Sequence, residues 1–185
     1  MEKKLIVFID CGDTLVDEST QVMADNGDVL RADLIEGAGE MLDRLRGSGY
    51  RLALVADGRL SSFRNIFRSL GRADAFETRT ISEELGAEKP DPRMFRTAMD
   101  RMGLTEADAS RIVMIGNNLK RDILGANRMG ICSVLLSFSP RYGMQPETAE
   151  EVPDYVVAMP REIPPLLDQL ERQIENKRIL TQRPS

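Results

Sequence analysis

The stretch Leu5-Ile6-Val7-Phe8-Ile9-Asp10-Cys11-Gly12-Asp13-Thr14 decides the fold of this chain of 185 residues. Five consecutive large apolar residues are typical of a strand that is buried on both faces of a parallel sheet. Helices cover both faces of such a sheet, so ligands bind in the crevice beyond the carboxyl ends of its strands. The run therefore predicts a central strand that presents Asp10 at the edge where ligands bind.

The rest of the chain alternates between strand-like and helix-like segments. Apolar runs predict strands at 50–55, 76–81, 112–115, 132–136 and 154–158. Helical spacing and capping residues predict helices at 37–49 and 60–70, one that opens at Pro92, one that ends at Gly130, and one at 162–179. This alternation predicts a single α/β domain over residues 1–180, with a Rossmann-like parallel sheet and helices on both faces. We expect residues 181–185 to form a disordered tail.

A two-stranded hairpin is expected just after the first strand. Gln21–Asp25 and Asp28–Arg31 flank the pair Asn26-Gly27, which is the strongest short-range hairpin signal. This flap is the only insertion that we expect between Thr14 and the first helix, and the segment between Gly58 and Lys89 is too short for a second domain. The sequence therefore predicts no cap domain.

Composition narrows the class of protein. A net charge of -5 argues against non-specific binding to nucleic acid or to an anionic membrane. No stretch reaches transmembrane length, and the N-terminal apolar run ends at Asp10, before a signal peptide could form. Cys11 and Cys132 are expected as packed thiols in a reducing compartment, which predicts a cytoplasmic protein.

The chain has no histidine, so acid–base work must fall to carboxylates, lysine or metal-bound water.

Four separated segments are expected to meet at one edge of the sheet: Asp10–Thr14, Ala56–Gly58, Lys89 and Gly116–Asp122. A carboxylate at a strand end acts as a nucleophile when cations offset its charge and orient the electrophile. Lys89 would supply one cation and Mg²⁺ the other. We expect magnesium to be held by oxygen ligands: Asp10, a backbone carbonyl near Gly12, and a side chain from Asn117 or Asp122. Thr14 and the free backbone N–H groups after Asp10 would bind phosphate oxygens.

At these segments the chain resembles the haloacid dehalogenase-like (HAD) hydrolases, most of which are magnesium-dependent phosphatases that act through an aspartyl-phosphate. The resemblance runs from Leu5 to about Leu170. It rests on DCGDTLVD at 10–17, LALVADG at 52–58, EKPDPRMF at 88–95 and IGNNLKRDILGANRMG at 115–130.

The resemblance assigns roles to individual residues. It implies that Asp10 is the nucleophile, Thr14 the threonine of the first motif, Lys89 the lysine of the third and Asp122 the second acidic residue of the fourth. Ala56, Asp57 and Gly58 stand where the second motif binds phosphate, and Gly12, Asn117 and Asp122 join Asp10 as expected metal ligands.

Three positions depart from the family pattern. Gly12 replaces a second aspartate that usually acts as general acid and base, Ala56 replaces a serine or threonine, and Asn117 replaces an acidic metal ligand. Asp13 or Asp57 is a candidate substitute for the missing acid. Because the Asn117 side chain is neutral, we expect magnesium to bind more weakly than in family members that have an acidic ligand at this position.

The expected function is a capless magnesium-dependent phosphatase acting on a phosphorylated substrate, small or larger, and a homo-oligomer is plausible because the site is open. The rival hypothesis is a catalytically impaired phosphate-binding or protein-interaction module, and dehalogenation is the least favoured. Four basic residues near the site are candidates for gripping a second anionic group: Arg59, Lys120, Arg121 and Arg141.

Overall fold

The computed structural model describes residues 5–139 and 141–181. The strands in this part of the chain are β1 (Ile6–Ile9), β2 (Val22–Met23), β3 (Val29–Arg31), β4 (Arg51–Ala56), β5 (Thr78–Ile81), β6 (Ile112–Gly116), β7 (Cys132–Leu136) and β8 (Tyr155–Val157). The α-helices are α1 (Ala38–Gly47), α2 (Leu60–Ser69), α3 (Ser82–Leu85), α4 (Pro92–Arg101), α5 (Leu124–Arg128) and α6 (Ile163–Thr181).

Six of the strands form one parallel sheet in the order β5-β4-β1-β6-β7-β8. β1 lies between β4 and β6, and Ile9 stands beside Leu54 on one side and Ile115 on the other. All four residues of β1 are buried, as expected for a strand covered on both faces. The predicted Rossmann-like fold is confirmed.

Helices pack on both faces of the sheet because alternate residues of β1 point to opposite sides. Val7 and Ile9 join the core layer under α1, α2 and α6. Ile6 and Phe8 join the layer under α4 and α5. The central strand thus belongs to both layers, and its position is fixed from two sides.

The predicted hairpin is also confirmed. β2 and β3 pair antiparallel, and β3 lies against α2. The Ser62 hydroxyl of α2 accepts a hydrogen bond from the Val29 N–H at 2.9 Å, and Arg59 pairs with Asp28 at 3.1 Å. The flap is therefore held against the start of α2, beside the carboxyl end of β4.

Two features go beyond the predicted pattern. The short helix α3 follows β5 directly and ends at Leu85, and the next residue, Gly86, adopts a left-handed backbone conformation. A π-helical turn, Leu119–Ile123, precedes α5 where an ordinary helix start was expected. Helix α6 includes Thr181, the first residue of the predicted tail, and residues 182–185 lie outside the described part of the chain. Within the described ranges, no helix combines the length and the apolar character of a transmembrane helix.

Candidate active site

Asp10 follows the central strand at the point where the strand order reverses. From β1 the chain first builds the β4 side of the sheet and then returns to place β6 on the other side. In parallel α/β sheets the crevice at such a switch point is where ligands bind. The Asp10 N–H donates to the Ile115 carbonyl at 3.0 Å, so the nucleophile candidate is anchored to the neighbouring strand.

Lys89 binds two carboxylates at this edge. Its Nζ lies 2.6 Å from Asp10 Oδ1, 2.7 Å from Asp122 Oδ1 and 2.8 Å from the Val55 carbonyl. Burial alone would lower the pKa of Lys89, but the charges of Asp10 and Asp122 outweigh it and raise that pKa. The lysine therefore remains a cation inside the protein and offsets part of the negative charge around Asp10.

Two local features of the backbone bring the Asp122 side chain to the carboxyl edge of the sheet. The π-helical turn carries it back toward β6, where its Oδ2 accepts a hydrogen bond from the Asn118 N–H at 3.1 Å. A Cβ at Gly116 would stand 2.6 Å from the Asp122 Cβ, closer than such atoms come, so only glycine permits this approach. Burial raises the pKa of Asp122, and the charge of Lys89 opposes that rise.

The oxygen donors near Asp10 fit magnesium by type. Asp10, Asp122, Asn117 and the Gly12 backbone line one cavity of about 300 Å³, and they offer carboxylate, amide and carbonyl oxygens. Asn117 is buried, and within the described residues its Nδ2 has no hydrogen-bond partner, so this N–H donor suits an acceptor such as a phosphate oxygen, while the amide oxygen is the atom that suits a cation. No group of three or more His, Cys, Asp or Glu suited to a metal occurs in the same ranges. Weak binding of magnesium stays a prediction.

The four residues that are expected to bind phosphate differ in whether they line the cavity. Asp57 and Gly58 line the cavity. Thr14 is fully buried behind Asp10, and its hydroxyl donates to Asp10 Oδ2 at 3.3 Å. Ala56 is buried in the core at the end of β4 and does not line the cavity. The structure thus brings Asp57 and Gly58 to the cavity itself, and Thr14 only to the Asp10 carboxylate.

Asp13 lies apart from the cavity. Its backbone adopts a left-handed conformation with φ of 50°. Its side chain accepts hydrogen bonds from Arg141 Nε at 2.5 Å, from the Ser139 hydroxyl at 3.3 Å and from the Glu18 N–H at 3.0 Å. This carboxylate is buried and engaged in holding loops together, and Asp13 does not line the cavity.

Asp57 lines the cavity, but both of its oxygens are engaged. Oδ1 accepts the Lys89 backbone N–H at 3.0 Å, and Oδ2 accepts from Arg121 Nη1 at 3.2 Å. Burial raises the pKa of Asp57, and Lys89 opposes that rise. Through these bonds Asp57 holds the loop that carries Lys89 in place.

Glu18 is a cavity residue that sequence reasoning missed. It begins a short 3₁₀ turn, Glu18–Thr20, and its half-buried carboxylate lies over Gly12. Burial raises the pKa of Glu18, Arg141 opposes that rise, and Asp13 and Asp10 add to it. No motif points to this residue. The sequence feature that could have indicated it is the glycine at position 12, because a residue without a side chain leaves room for a neighbouring one.

The four basic candidates are all paired with carboxylates. Arg59 and Arg121 line the cavity, and Arg121 contacts Asp57 and Glu88. Lys120 pairs with Glu147 away from the cavity, and Arg141 pairs with Asp13 and Glu18. Only Arg59 and Arg121 are therefore placed to meet a second anionic group.

The sequence profile of the haloacid dehalogenase-like hydrolases matches residues 12–130. The chain belongs to this family. A glyceraldehyde 3-phosphate phosphatase of Methanopyrus kandleri is 36% identical over 123 residues, which are 66% of this chain and 51% of that protein. A phosphoserine phosphatase of Thermus thermophilus is 34% identical over 133 residues, which are 72% of this chain and 51% of that protein.

This HAD-like chain spans about half the length of the curated relatives it matches. Among solved structures, the putative HAD-hydrolase YfnB of Bacillus subtilis, bound to magnesium, has a TM-score of 0.72 at 16% identity. The match covers 90% of this chain and 99% of that chain. At this identity the likeness establishes the fold.

Proposed function

We propose that this HAD-like chain is a magnesium-dependent phosphatase that forms an aspartyl-phosphate on Asp10. The observation that carries the proposal is the buried cation Lys89, which contacts Asp10 and Asp122 at the switch point of the sheet. A carboxylate beside a fixed cation is suited to attack an electrophile that is itself anionic.

The chemistry takes two displacements at phosphorus. An Asp10 carboxylate oxygen bonds to phosphorus as the bond to the ester oxygen breaks, and the departing alkoxide takes up a proton. A water oxygen then bonds to phosphorus, the bond to Asp10 breaks, and the water proton goes to a base. Lys89 offsets the negative charge of Asp10 and of the equatorial phosphoryl oxygens in both steps.

Asp10, Asn117, Asp122 and the Gly12 carbonyl would hold Mg²⁺. When bound, this ion supplies further positive charge against the phosphoryl oxygens. The Asp57 bond to the Lys89 backbone keeps the lysine in place, and Thr14 orients the Asp10 carboxylate through its hydroxyl.

The substrate that we propose is a small phosphorylated molecule. Relatives named as glyceraldehyde 3-phosphate and phosphoserine phosphatases favour this class, and a cavity of about 300 Å³ suits it. Within the same proposal, residues 1–180 form a single domain, and the protein works in the cytoplasm and is a candidate homo-oligomer.

The rival is a phosphate-binding or interaction module that has lost the chemistry. Its support is the substitution pattern at Gly12, Ala56 and Asn117. The relatives named as phosphatases and the buried Lys89 contacts favour the enzyme. Dehalogenation stays the least favoured, because cavity residues such as Glu18, Asp57 and Arg121 are charged, whereas a small apolar substrate needs exclusion of water.

Hydrolysis of p-nitrophenyl phosphate with and without Mg²⁺ tests the proposal. We expect magnesium-dependent turnover that falls by about 10⁴-fold or more in Asp10→Asn, because the nucleophile is lost. Acid quenching during turnover should trap a phosphoryl group on the wild-type protein and none on Asp10→Asn.

Beryllofluoride separates the enzyme from the impaired module. With Mg²⁺ it should form an adduct on Asp10 that raises the melting temperature of the wild type, and Asp10→Asn should show no such rise. No turnover across a broad panel of phosphate esters, together with no adduct, would overturn the proposed function.

A further inference from the structure

The cavity beside Asp10 holds an acidic side chain in the space above Gly12. A Cβ built on Gly12 would stand 2.7 Å from the Glu18 Cδ, with Oε1 closer still. Real Cβ atoms do not approach another side chain so closely. The Glu18 carboxyl group therefore occupies the volume that any side chain at position 12 would enter.

The chain fixes Glu18 there through Asp13. The left-handed turn at Asp13 folds the segment after β1 back toward the cavity, and Asp13 Oδ1 accepts the Glu18 N–H at 3.0 Å. Arg141 binds both carboxylates, at 2.5 Å from Asp13 Oδ2 and 3.1 Å from Glu18 Oε2. Through its backbone N–H and its Oε2, Glu18 is thus fixed on the side away from Gly12.

The remaining oxygen of Glu18 is available to a ligand. Within residues 5–139 and 141–181, we find no hydrogen bond to Oε1, and Glu18 lines the same cavity as Asp10. The other carboxylates of the cavity are committed: Asp10 to the attack, Asp57 to Lys89 and Arg121, and Asp122 to Lys89 and Asn118. Among the described carboxylates that line the cavity, Glu18 is the one left to move a proton.

We propose that Glu18 is the general acid and base of the phosphoryl transfer, an inference that rests on the proposed function. As Asp10 bonds to phosphorus and the ester bond breaks, the Glu18 carboxyl gives its proton to the leaving oxygen and becomes a carboxylate. That carboxylate then takes a proton from the water whose oxygen bonds to phosphorus while the bond to Asp10 breaks. Glu18 thereby returns to its protonated form, and the cycle balances.

Glu18→Gln tests this role with two aryl esters of similar shape. Phenyl phosphate needs a proton on its leaving oxygen, whereas p-nitrophenolate departs without one. We expect kcat/KM for phenyl phosphate to fall by about 10²-fold or more, with a smaller fall for p-nitrophenyl phosphate. The aspartyl-phosphate should also accumulate in acid-quenched Glu18→Gln, because its breakdown lacks a base.

The matched control is Glu36→Gln, which makes the same change on an exposed residue that does not line the cavity. It should leave both rates unchanged. If the role of Glu18 were only to hold Arg141, Glu18→Gln would lower the rates for phenyl phosphate and p-nitrophenyl phosphate by the same factor. That result would overturn the proposal. Unchanged rates in Glu18→Gln would overturn it too, while the proposed function would survive on wild-type turnover. A wild type without phosphatase activity would overturn both the proposed function and the role of Glu18.

Moving the carboxylate gives a second test. The Gly12 backbone is not in the left-handed region, so an aspartate fits there once Glu18 is shortened. The double variant Gly12→Asp, Glu18→Ala should recover phenyl phosphate hydrolysis relative to Glu18→Ala alone. A double variant that melts like the wild type but recovers nothing would argue that the position above Gly12 has no acid–base role and would overturn the inference.

Discussion

Lys89 shows how one buried residue shapes the electrostatics of the site. Its ammonium group is almost fully buried, and it is held by Asp10, Asp122 and the Val55 carbonyl. Removing one partner from such a cluster leaves charges buried without compensation, which costs far more than an exposed ion pair contributes. The same contacts offset part of the negative charge of the Asp10 carboxylate.

We therefore expect Lys89→Met to lower the free energy of unfolding by about 3–5 kcal/mol, because Asp10 and Asp122 would face each other without a cation. Magnesium should raise the melting temperature of Lys89→Met more than that of the wild type, since the ion would take over part of that compensation. Thermal melts with and without Mg²⁺ measure both effects.

Lys120→Met is the control for this change. Lys120 is exposed and pairs with Glu147 at the surface, so its loss should change the free energy of unfolding by less than about 1 kcal/mol. A Lys89→Met protein as stable as the wild type would show that the two carboxylates do not depend on this cation.

At the scale of elements, the hairpin flap is tied to α2 by a few polar contacts. The Val29 N–H donates to the Ser62 hydroxyl at 2.9 Å, and its carbonyl accepts from Asn65 at 3.1 Å. Arg59 adds bonds to the Asn26 carbonyl and to Asp28 at the tip. Because Gly27, Val29, Arg59 and Ser62 also line the cavity, the position of the flap decides how open the site is.

Ser62→Ala should loosen this flap. The buried Val29 N–H would lose its acceptor, at a cost of about 1–3 kcal/mol. Hydrogen exchange should show faster exchange of the Val29 amide, and unfolding by urea should show the lost stability.

Ser69→Ala removes a hydroxyl from the same helix at its far end, where Ser69 bonds the Ile66 carbonyl. It should leave the exchange rate of the Val29 amide unchanged. Equal exchange in Ser62→Ala and the wild type would mean that the hairpin is held by other contacts.

For the whole molecule, the two core layers depend on one strand. β1 contributes Val7 and Ile9 to the layer under α1, α2 and α6, and Ile6 and Phe8 to the layer under α4 and α5. Disruption of one layer therefore removes support from the strand that the other layer needs. This shared strand supports the proposal of a single domain over residues 1–180.

Phe95→Ala tests that proposal. Phe95 is fully buried, and its ring lies so close to Gly125 that a Cβ there would come within 2.5 Å of the Phe95 Cζ. We expect a loss of about 3–5 kcal/mol from the cavity that the change creates. Calorimetry should still show one transition, at a lower temperature, because both layers unfold together.

Phe138→Ala is the control, since this phenylalanine is at the surface and its removal leaves no cavity. Two separate transitions in Phe95→Ala would indicate that the layers unfold independently, and the single-domain proposal would then be wrong.

Local patterns in the sequence determined much of the architecture. The run before Asp10 and the other apolar runs predicted the strands to within two residues, and Asn26-Gly27 predicted the hairpin. Helix α4 begins at Pro92 as predicted, and Asp91 caps it. These features follow from side-chain periodicity and capping, which act over a few neighbouring residues and can be read along the chain.

Only the tertiary structure decided which of two neighbouring carboxylates lines the cavity. Asp13 and Glu18 are five positions apart and chemically alike, and both contact Arg141, yet of the two it is Glu18 that lies over Gly12 and lines the cavity, after the left-handed backbone at Asp13. The contact of Lys89 with both Asp10 and Asp122 likewise joins three distant segments. The sequence by itself determined the sheet and the place of Asp10. The direction of each acidic side chain depends on backbone torsion and on long-range partners, which no local pattern encodes.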